Sequence, residues 1–130
     1  MTNALVDTSV FIAREQGRTV RALPDRVAVS VVTVGELELG VLVAGHAEAR
    51  RRRADTLELA RAADPLPITE AVMRTFARLV HDCRAASARV RVLDALIGAT
   101  AIEHGLPVVT QDDDFEAMAA AHGQLRVVRA

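Results

Sequence analysis

Short apolar runs alternate with longer segments of helical pattern along this chain, and the alternation restricts the folds that it can adopt. The runs have the length and composition of buried strands at residues 4–7, 27–31, 107–110 and 125–128, with a short edge strand at 65–68. The segments between them are predicted to be helices at 8–15, 34–43, 46–63, 69–86, 92–104 and 113–121. Strands that alternate with helices predict an α/β fold, in which helices cover both faces of a parallel sheet.

The composition fits one globular unit and excludes several kinds of site. At 130 residues, of which 51% are hydrophobic, the chain is predicted to form a single domain over residues 1–130. All 16 basic residues are arginine, which excludes a P-loop lysine and a lysine Schiff base. Cys83 is the only cysteine, so an internal disulfide and a cysteine-rich zinc site are excluded. The sequence shows neither a secretory signal nor a membrane span, and we expect a cytoplasmic protein.

Four acidic residues lie at apolar junctions where a soluble domain would normally avoid burying a charge: Asp7, Glu36, Asp94 and Asp112. A carboxylate in apolar surroundings loses hydration, and it must be protonated, paired or bound to a metal. Asp7 and Asp112 come at or just after predicted strand ends, and ligand sites of parallel sheets lie beyond those ends. A hard divalent cation is the partner that four carboxylates would share.

Asp94 is the hardest of the four to explain as a structural residue. At helical spacing it shares a face with Val90, Ile97 and Ala101, and this apolar stripe should face the interior. A structural aspartate would need a buried partner there, and the stripe carries no basic residue. The pattern therefore favours a functional role for Asp94.

Asp7 and Glu36 each have a structural alternative. Asp7 could cap the helix that follows it. The segment from Thr33 to Glu36 fits a capping box, in which the glutamate would reach back to a backbone amide at the start of its helix. Taken singly, these two acids are therefore ambiguous.

The run of three aspartates at 112–114 precedes a predicted helix, where carboxylates interact favourably with the helix dipole. Asp113 and Glu116 form a plausible capping pair, which makes one acid of the run structural. Asp112 is the first choice of metal ligand because it is nearest the strand end, and Asp114 is the second.

The type of ligand predicts the chemistry. Oxygen ligands suit Mg²⁺ or Mn²⁺. Such an ion can polarise a phosphate and lower the pKa of a bound water, and two ions about 4 Å apart could stabilise the attacking and leaving oxygens. A further acid could position or deprotonate the water. The pattern leaves open whether one or two ions bind.

The acids lie in four stretches: LVDTSVFI at 5–12, SVVTVGELELG at 30–40, DALIGATA at 94–101 and GLPVVTQDDDF at 105–115. In order and spacing these stretches resemble PIN-domain proteins and, more narrowly, the VapC-type toxins of bacterial toxin–antitoxin pairs. The resemblance implies a three-layer α/β/α sandwich around a parallel sheet, and a Mg²⁺- or Mn²⁺-dependent endoribonuclease. It also implies a homodimer, a cognate VapB-like antitoxin that blocks the site, and a structured RNA substrate such as tRNA or rRNA.

The same resemblance assigns residues to the site. It implies that Asp7, Glu36, Asp94 and Asp112 are the acidic quartet, and that Asp7, Asp94 and Asp112, with Asp114 close by, bind metal. Thr8 and Thr110 match hydroxyl positions that support the site. Leu93 is a departure, because relatives often carry a polar residue before the third acid.

Arginines near the acids are candidate RNA contacts, since a net charge of −1 gives the whole chain no attraction to nucleic acid. Arg84, Arg89 and Arg91 surround the loop that leads into the Asp94 helix, and we expect them to contact RNA. The arginine run at 50–53 points to all sides of its predicted helix, which favours a solvated surface.

The leading hypothesis is therefore a metal-dependent endoribonuclease toxin, in which activated water attacks an RNA phosphodiester and leaves 5′-phosphate and 3′-hydroxyl ends. The alternative is a catalytically inactive PIN-like module that binds RNA or a protein partner. A metal-dependent phosphatase or DNA nuclease is a third option, which a comparison of substrates would separate.

Overall fold

A computed structural model describes residues 3–21 and 23–130. Met1, Thr2 and Ala22 of the predicted domain lie outside the described residues. The strands are β1 (Ala4–Val6), β2 (Val27–Ser30), β3 (Pro65–Leu66), β4 (Val108–Thr110) and β5 (Val127–Arg129). The helices are α1 (Thr8–Glu15), α2 (Val31–Leu42), α3 (Ala47–Arg61), α4 (Glu70–Ala85), α5 (Val92–Glu103) and α6 (Asp114–Ala121).

The five strands form one parallel sheet in the order β3-β2-β1-β4-β5. Leu5 of β1 pairs with Ala28 of β2 on one side and with Val108 of β4 on the other. The chain first builds outward from β1 through β2 to β3, and it later returns to the other side of β1 for β4 and β5. The order therefore reverses between β1 and β4, and the carboxyl ends of these strands flank the crevice where parallel sheets bind ligands.

Alternate residues of the strands pack into two separate cores. Leu5 and Val108 face a cluster completed by residues of α4, α5 and α6, including Leu79, Ile97 and Phe115. The alternate strand residues, Ala4, Val6, Val29 and Val109, face a second cluster on the other side of the sheet. Helices α1, α2 and α3 complete this cluster with Phe11, Leu37 and Leu57. Two helical layers thus enclose the sheet, and the predicted three-layer α/β/α sandwich is confirmed.

The largest error in the predicted elements concerns α2, which begins at Val31 and not at residue 34. Ser30 ends β2 and is the N-cap of α2, since its hydroxyl accepts a hydrogen bond from the amide of Val32 at 3.0 Å. The two valines that follow Ser30 read as strand residues in the sequence, but this cap places them in the first helical turn. The last strand is also displaced, to Val127–Arg129 from the predicted 125–128.

No helix among residues 3–21 and 23–130 combines the length and the apolarity that crossing a bilayer requires.

Candidate active site

The sheet brings three strand ends together at one edge. Asp7 follows β1 directly, Ser30 is the last residue of β2, and Thr110 is the last residue of β4. Because β1 lies between β2 and β4, these residues are neighbours although they are far apart in the chain. Asp94 enters the same region from the first turn of α5.

Asp94, Asp112 and Asp114 form a compact acidic cluster. One carboxylate oxygen of each residue lies within 4.8 Å of the corresponding oxygens of the other two. A spacing of this kind allows three carboxylates to reach one small cation. The cluster includes both residues of the run that the sequence proposed as metal ligands.

Asp7 is almost completely buried, with 3% of its surface exposed. Its Oδ2 accepts hydrogen bonds from the Thr110 hydroxyl at 2.9 Å and from the Ser9 amide at 3.3 Å. Burial raises the pKa of Asp7, and the hydrogen bonds from Ser9 and Thr110 partly oppose that rise. The hydrogen bond from the Ser9 amide makes Asp7 the N-cap of α1, so the structural alternative for this residue is correct. This capping role is compatible with a place in the site.

Asp94 carries the strongest electrostatic perturbation of the site. Only 9% of its surface is exposed, and its Oδ2 is buried without a hydrogen-bond partner. Burial is the largest cause that raises the pKa of Asp94, and the charges of Asp7 and Asp112 raise it further, to about 7. Glu36 acts in the same direction, while Arg91 opposes the rise. The predicted acidic quartet therefore converges around Asp94.

Glu36 lies within α2 and faces α1. The Thr8 hydroxyl donates a hydrogen bond of 2.7 Å to Glu36 Oε1, and it also contacts the Thr33 hydroxyl at 2.9 Å. The capping-box interpretation of Thr33 to Glu36 is wrong, because α2 begins at Val31 and Ser30 caps it. The glutamate is instead oriented toward the site by a threonine that is 28 residues earlier in the chain.

The aspartate run divides between the site and the surface. The Asp112 amide donates to the Thr110 hydroxyl at 2.9 Å, and the Asp114 amide donates to Asp112 Oδ1 at 3.0 Å. Asp112 thus accepts a hydrogen bond from the first turn of α6 through Oδ1, and its Oδ2 takes part in neither of these hydrogen bonds. Its position next to Thr110 follows directly from the end of β4.

Asp113 does not form the capping pair with Glu116 that the spacing suggested. Asp113 occupies the N-cap position of α6 but makes no side-chain hydrogen bond there. Its carboxylate instead lies 2.9 Å from Arg129 Nη1, and Glu116 lies 3.7 Å from the Nε of the same arginine. The nearby arginine of β5 draws both acids away from the helix end, and Asp113 is the member of the run that lies outside the acidic cluster.

Two supporting hydroxyls were not identified in the sequence. Ser9 Oγ lies 3.2 Å from Thr110 Oγ1 and accepts a hydrogen bond from the Gln111 amide at 3.0 Å. Thr33 is completely buried and contacts Thr8. The hydroxyls that directly follow Asp7 at a strand end were the available signal for Ser9, whereas Thr33 lies within an apolar run and gave no comparable one.

The three candidate arginines do not lie together. Arg89 and Arg91 line a cavity of about 330 Å³ with Val90 and Asp114. Arg84 lines a different groove, formed mainly by apolar residues such as Phe76 of α4 and Val92 of α5. Elsewhere, Arg53 of the basic run donates to the Gly40 carbonyl at 2.7 Å, which gives this residue a structural role between α3 and α2.

Comparison with known proteins agrees with this geometry. A family model of the PIN domain matches residues 4–121. Ribonuclease VapC8 of Mycobacterium tuberculosis is 63% identical over 99 residues, which cover 75% of this chain and 88% of that protein. Ribonuclease VapC4 of the same organism is 51% identical over 120 residues, which cover 88% and 90% of the two chains.

A solved structure is similar over the entire chain. The crystal structure of VapBC-5, a member of the VapBC family of toxin–antitoxin systems from Mycobacterium tuberculosis, matches with a TM-score of 0.88 and 38% identity, and the match covers 100% of both chains. The resemblance inferred from the four acidic stretches is therefore confirmed. This chain belongs to the PIN-domain family and, within it, to the VapC proteins.

Proposed function

We propose that this protein is the metal-dependent endoribonuclease toxin of a toxin–antitoxin pair, and that residues 1–130 act as one nuclease domain. The observation that carries the proposal is the environment of Asp94. Its buried Oδ2 has no hydrogen-bond partner, and its neighbours are further carboxylates. Such an arrangement is costly in a protein without a cation, because like charges repel and buried ones lose hydration.

The residues at the site suit Mg²⁺ or Mn²⁺. Both ions prefer oxygen ligands, and the cluster of Asp94, Asp112 and Asp114 offers a carboxylate oxygen from each residue. Asp7 is the fourth proposed ligand, since its two hydrogen bonds both end on Oδ2. The set is large enough for one ion or two.

An ion held by these acids would polarise the scissile phosphate and lower the pKa of the attacking water. Glu36 is held toward the site by Thr8, and in this mechanism it accepts the proton that the water loses. The water oxygen attacks phosphorus in line, and the bond from phosphorus to the 3′ oxygen breaks. The 3′ oxygen takes a proton from solvent, which leaves a 3′-hydroxyl and a 5′-phosphate.

The hydroxyls around Asp7 keep the acids in position during this step. Thr110 donates to Asp7 and accepts from the amide of Asp112, so one side chain orients two proposed ligands. Ser9 contacts the Thr110 hydroxyl in turn. These contacts support the role that the family resemblance implies for Thr8 and Thr110, and we propose Ser9 as an additional supporting residue.

The named relatives support the choice of RNA and of a protein partner. Two of them are called ribonucleases, and the solved structure belongs to the VapBC toxin–antitoxin family. We accordingly propose a structured RNA substrate, such as tRNA or rRNA, a VapB-like antitoxin that covers the acids, and a homodimer. Both RNA and antitoxin would be met in the cytoplasm, where we place the protein.

The central experiment measures RNA cleavage by purified wild-type chain with Mg²⁺, with Mn²⁺ and with excess chelator. DNA and a small phosphoester are tested in parallel. We expect cleavage of RNA alone, dependence on the divalent ion, and 5′-phosphate product ends. Preferred cleavage of DNA or the small ester would replace this proposal with the nuclease or phosphatase alternative.

A pair of variants links the activity to the acids. Asp112→Asn should abolish cleavage, while Asp113→Asn should retain it. Of these two neighbours, Asp112 belongs to the acidic cluster, whereas Asp113 faces Arg129. RNA binding without cleavage in the wild-type chain would instead support the inactive PIN-like module. Equal activity of the two variants would show that the cluster is not the catalytic centre.

A further inference from the structure

The proposed site has an excess of negative charge next to a substrate that is itself negative. Asp7, Glu36, Asp94, Asp112 and Asp114 meet at one edge of the sheet. One or two divalent ions would neutralise only part of this charge, and the site would have no net attraction for the phosphates on either side of the scissile one. A positive surface beside the acids would supply that attraction.

Such a surface lies on the connection between α4 and α5. Arg89 and Arg91 line a cavity of about 330 Å³ together with Val90, and the fourth lining residue is Asp114. Because Asp114 also belongs to the acidic cluster, the cavity opens directly beside the proposed metal ligands. A strand whose scissile phosphate lies at the cluster can therefore place its adjacent phosphate in this cavity.

The two arginines are available for a ligand. Both are exposed, and among the described residues neither forms an ion pair with a carboxylate. Arg91 is also the N-cap of α5 and makes no capping hydrogen bond through its side chain. The first amides of α5 are thus left without a side-chain cap at the same place, and helix N-termini favour anions.

We propose that Arg89 and Arg91 bind a backbone phosphate of the RNA, next to the phosphate that is cleaved, and so position the strand across the acids. This inference rests on the proposed ribonuclease function and adds the residues that hold the substrate. A guanidinium donates two parallel hydrogen bonds to a phosphate, which suits it to hold the strand in a defined orientation.

The lining of the cavity indicates what kind of contact is made. Its residues are two arginines, one valine and one aspartate, and none of these four is aromatic. Bases of single-stranded RNA are usually held by stacking on aromatic rings, whereas arginine contacts to phosphate read no sequence. The pair therefore contributes affinity and register, and it does not select the base at the cleavage position.

Arg84 is excluded from this role although it is close in sequence. It is exposed near the end of α4 and lines a groove of mainly apolar residues that contains neither Asp114 nor another member of the acidic cluster. Arg84→Ala removes the same charge from the same part of the chain, and it is the matched control for the pair.

The test measures binding without requiring cleavage. A fluorescein-labelled, mixed-sequence RNA of about 12 nucleotides is titrated with the full chain in Ca²⁺, and fluorescence anisotropy gives the dissociation constant at several salt concentrations. Gel analysis of the same samples verifies that the RNA is intact. Melting temperatures of the variants verify that each one is folded.

We expect Arg89→Ala with Arg91→Ala to weaken binding about tenfold or more, and to reduce the magnitude of the slope of log K against log salt by about 0.7, because the contact to one phosphate is lost. The doubly substituted Lys variant should recover most of the slope, since charge sets the slope, but only part of the affinity. Arg84→Ala should stay within about twofold of wild type in affinity.

Two results would overturn the inference. One is a double alanine variant that binds as Arg84→Ala does, and the other is an equal loss for all three single alanine variants, which would indicate diffuse attraction. The proposed ribonuclease function fails on a different observation, which is that the wild-type chain cleaves no RNA with Mg²⁺ or Mn²⁺. In that case the salt dependence of binding still tests the role of the two arginines.

Discussion

Asp94 and His122 are the two side chains among the described residues in which a buried polar atom has no hydrogen-bond partner, and their surroundings are opposite. Asp94 is surrounded by other acids, and their charges raise its pKa. His122 Nδ1 instead lies 2.8 Å from Asp82 Oδ2, in a contact between the end of α6 and α4. The first arrangement concentrates negative charge, and the second pairs a carboxylate with an imidazole nitrogen.

This difference separates a site built for function from a contact built for stability. A buried group with a partner of opposite character strengthens the fold, whereas buried like charges weaken it until a ligand binds. The two regions should therefore respond in opposite ways to substitution, to pH and to divalent ions.

Asp94→Asn should lower the rate of RNA cleavage by about 100-fold or more, because a carboxylate that binds the ion is replaced by a neutral amide. The same substitution should raise the melting temperature of the metal-free protein at pH 8 by about 3 to 6 °C, since it removes a repelled charge. Cleavage assays and thermal unfolding measure the two effects. A variant that is both active and destabilised would contradict the assignment.

The metal-free protein should lose stability as pH rises. The pKa of Asp94 in the folded state is about 7 against an ordinary value of 3.8, so between these values the folded state binds more protons than the unfolded state. Its contribution to the free energy of unfolding therefore falls as pH rises from about 4 to about 7, and it is constant above that range. The raised pKa of Asp7 acts in the same direction.

Thermal unfolding at pH 5.5 and pH 8, with chelator and with Mn²⁺, measures this dependence. Mn²⁺ should stabilise the wild-type chain more at pH 8, because protons compete with the ion at lower pH. Asp94→Asn should reduce both the pH dependence and the stabilisation by Mn²⁺. A stabilisation by Mn²⁺ that is equal at both pH values would contradict the predicted competition.

The contribution of the Asp82–His122 contact to stability should change with pH in the opposite direction. The hydrogen bond from His122 is the largest cause that lowers the pKa of Asp82, so this pair stabilises the fold above the ordinary aspartate range and loses its effect as pH falls below it. His122→Ala should lower the free energy of unfolding by about 1 to 2 kcal/mol through lost packing and hydrogen bonding. It should leave the cleavage rate per folded molecule unchanged, and denaturant unfolding with a parallel cleavage assay tests both statements.

Thr8→Val should have the smallest effect, a decrease in cleavage of about three- to tenfold. The substitution removes the hydroxyl that orients Glu36, while the side chain keeps nearly the same volume. Thr56→Val is the control, because Thr56 is a buried threonine whose hydroxyl bonds to the Arg52 carbonyl within α3. An equal decrease in the two variants would mean that the loss reflects general stability and not the position of Glu36.

Local patterns predicted the architecture well because the relevant signals lie close together in the chain. Apolar runs and helical spacing identified the elements that form the parallel sheet and both helical layers. The prediction failed where two local signals competed. At the start of α2, strand-like valines follow Ser30, and only the hydrogen bond from the Val32 amide decides that the helix begins there.

The candidate acids could be named from the sequence, but their roles stay predictions. Asp94 was identified because an aspartate on an apolar helical stripe has no local explanation. Local spacing was misleading for Asp113 and Glu116, whose partner is Arg129 on another element. Local spacing also could not separate Arg84 from Arg89 and Arg91, because the difference is which cavity each residue lines in the folded chain.

Local sequence patterns were enough to place the strands and helices in order along the chain, to name the candidate acids and to recognise the family. The contacts between those acids and their supporting hydroxyls could not be read in the same way: Thr110 donates a hydrogen bond to Asp7 across 103 residues, and Thr8 donates one to Glu36 across 28. The physical reason is that these contacts depend on sheet order and register, which bring β4 beside β1 only after the whole chain has packed.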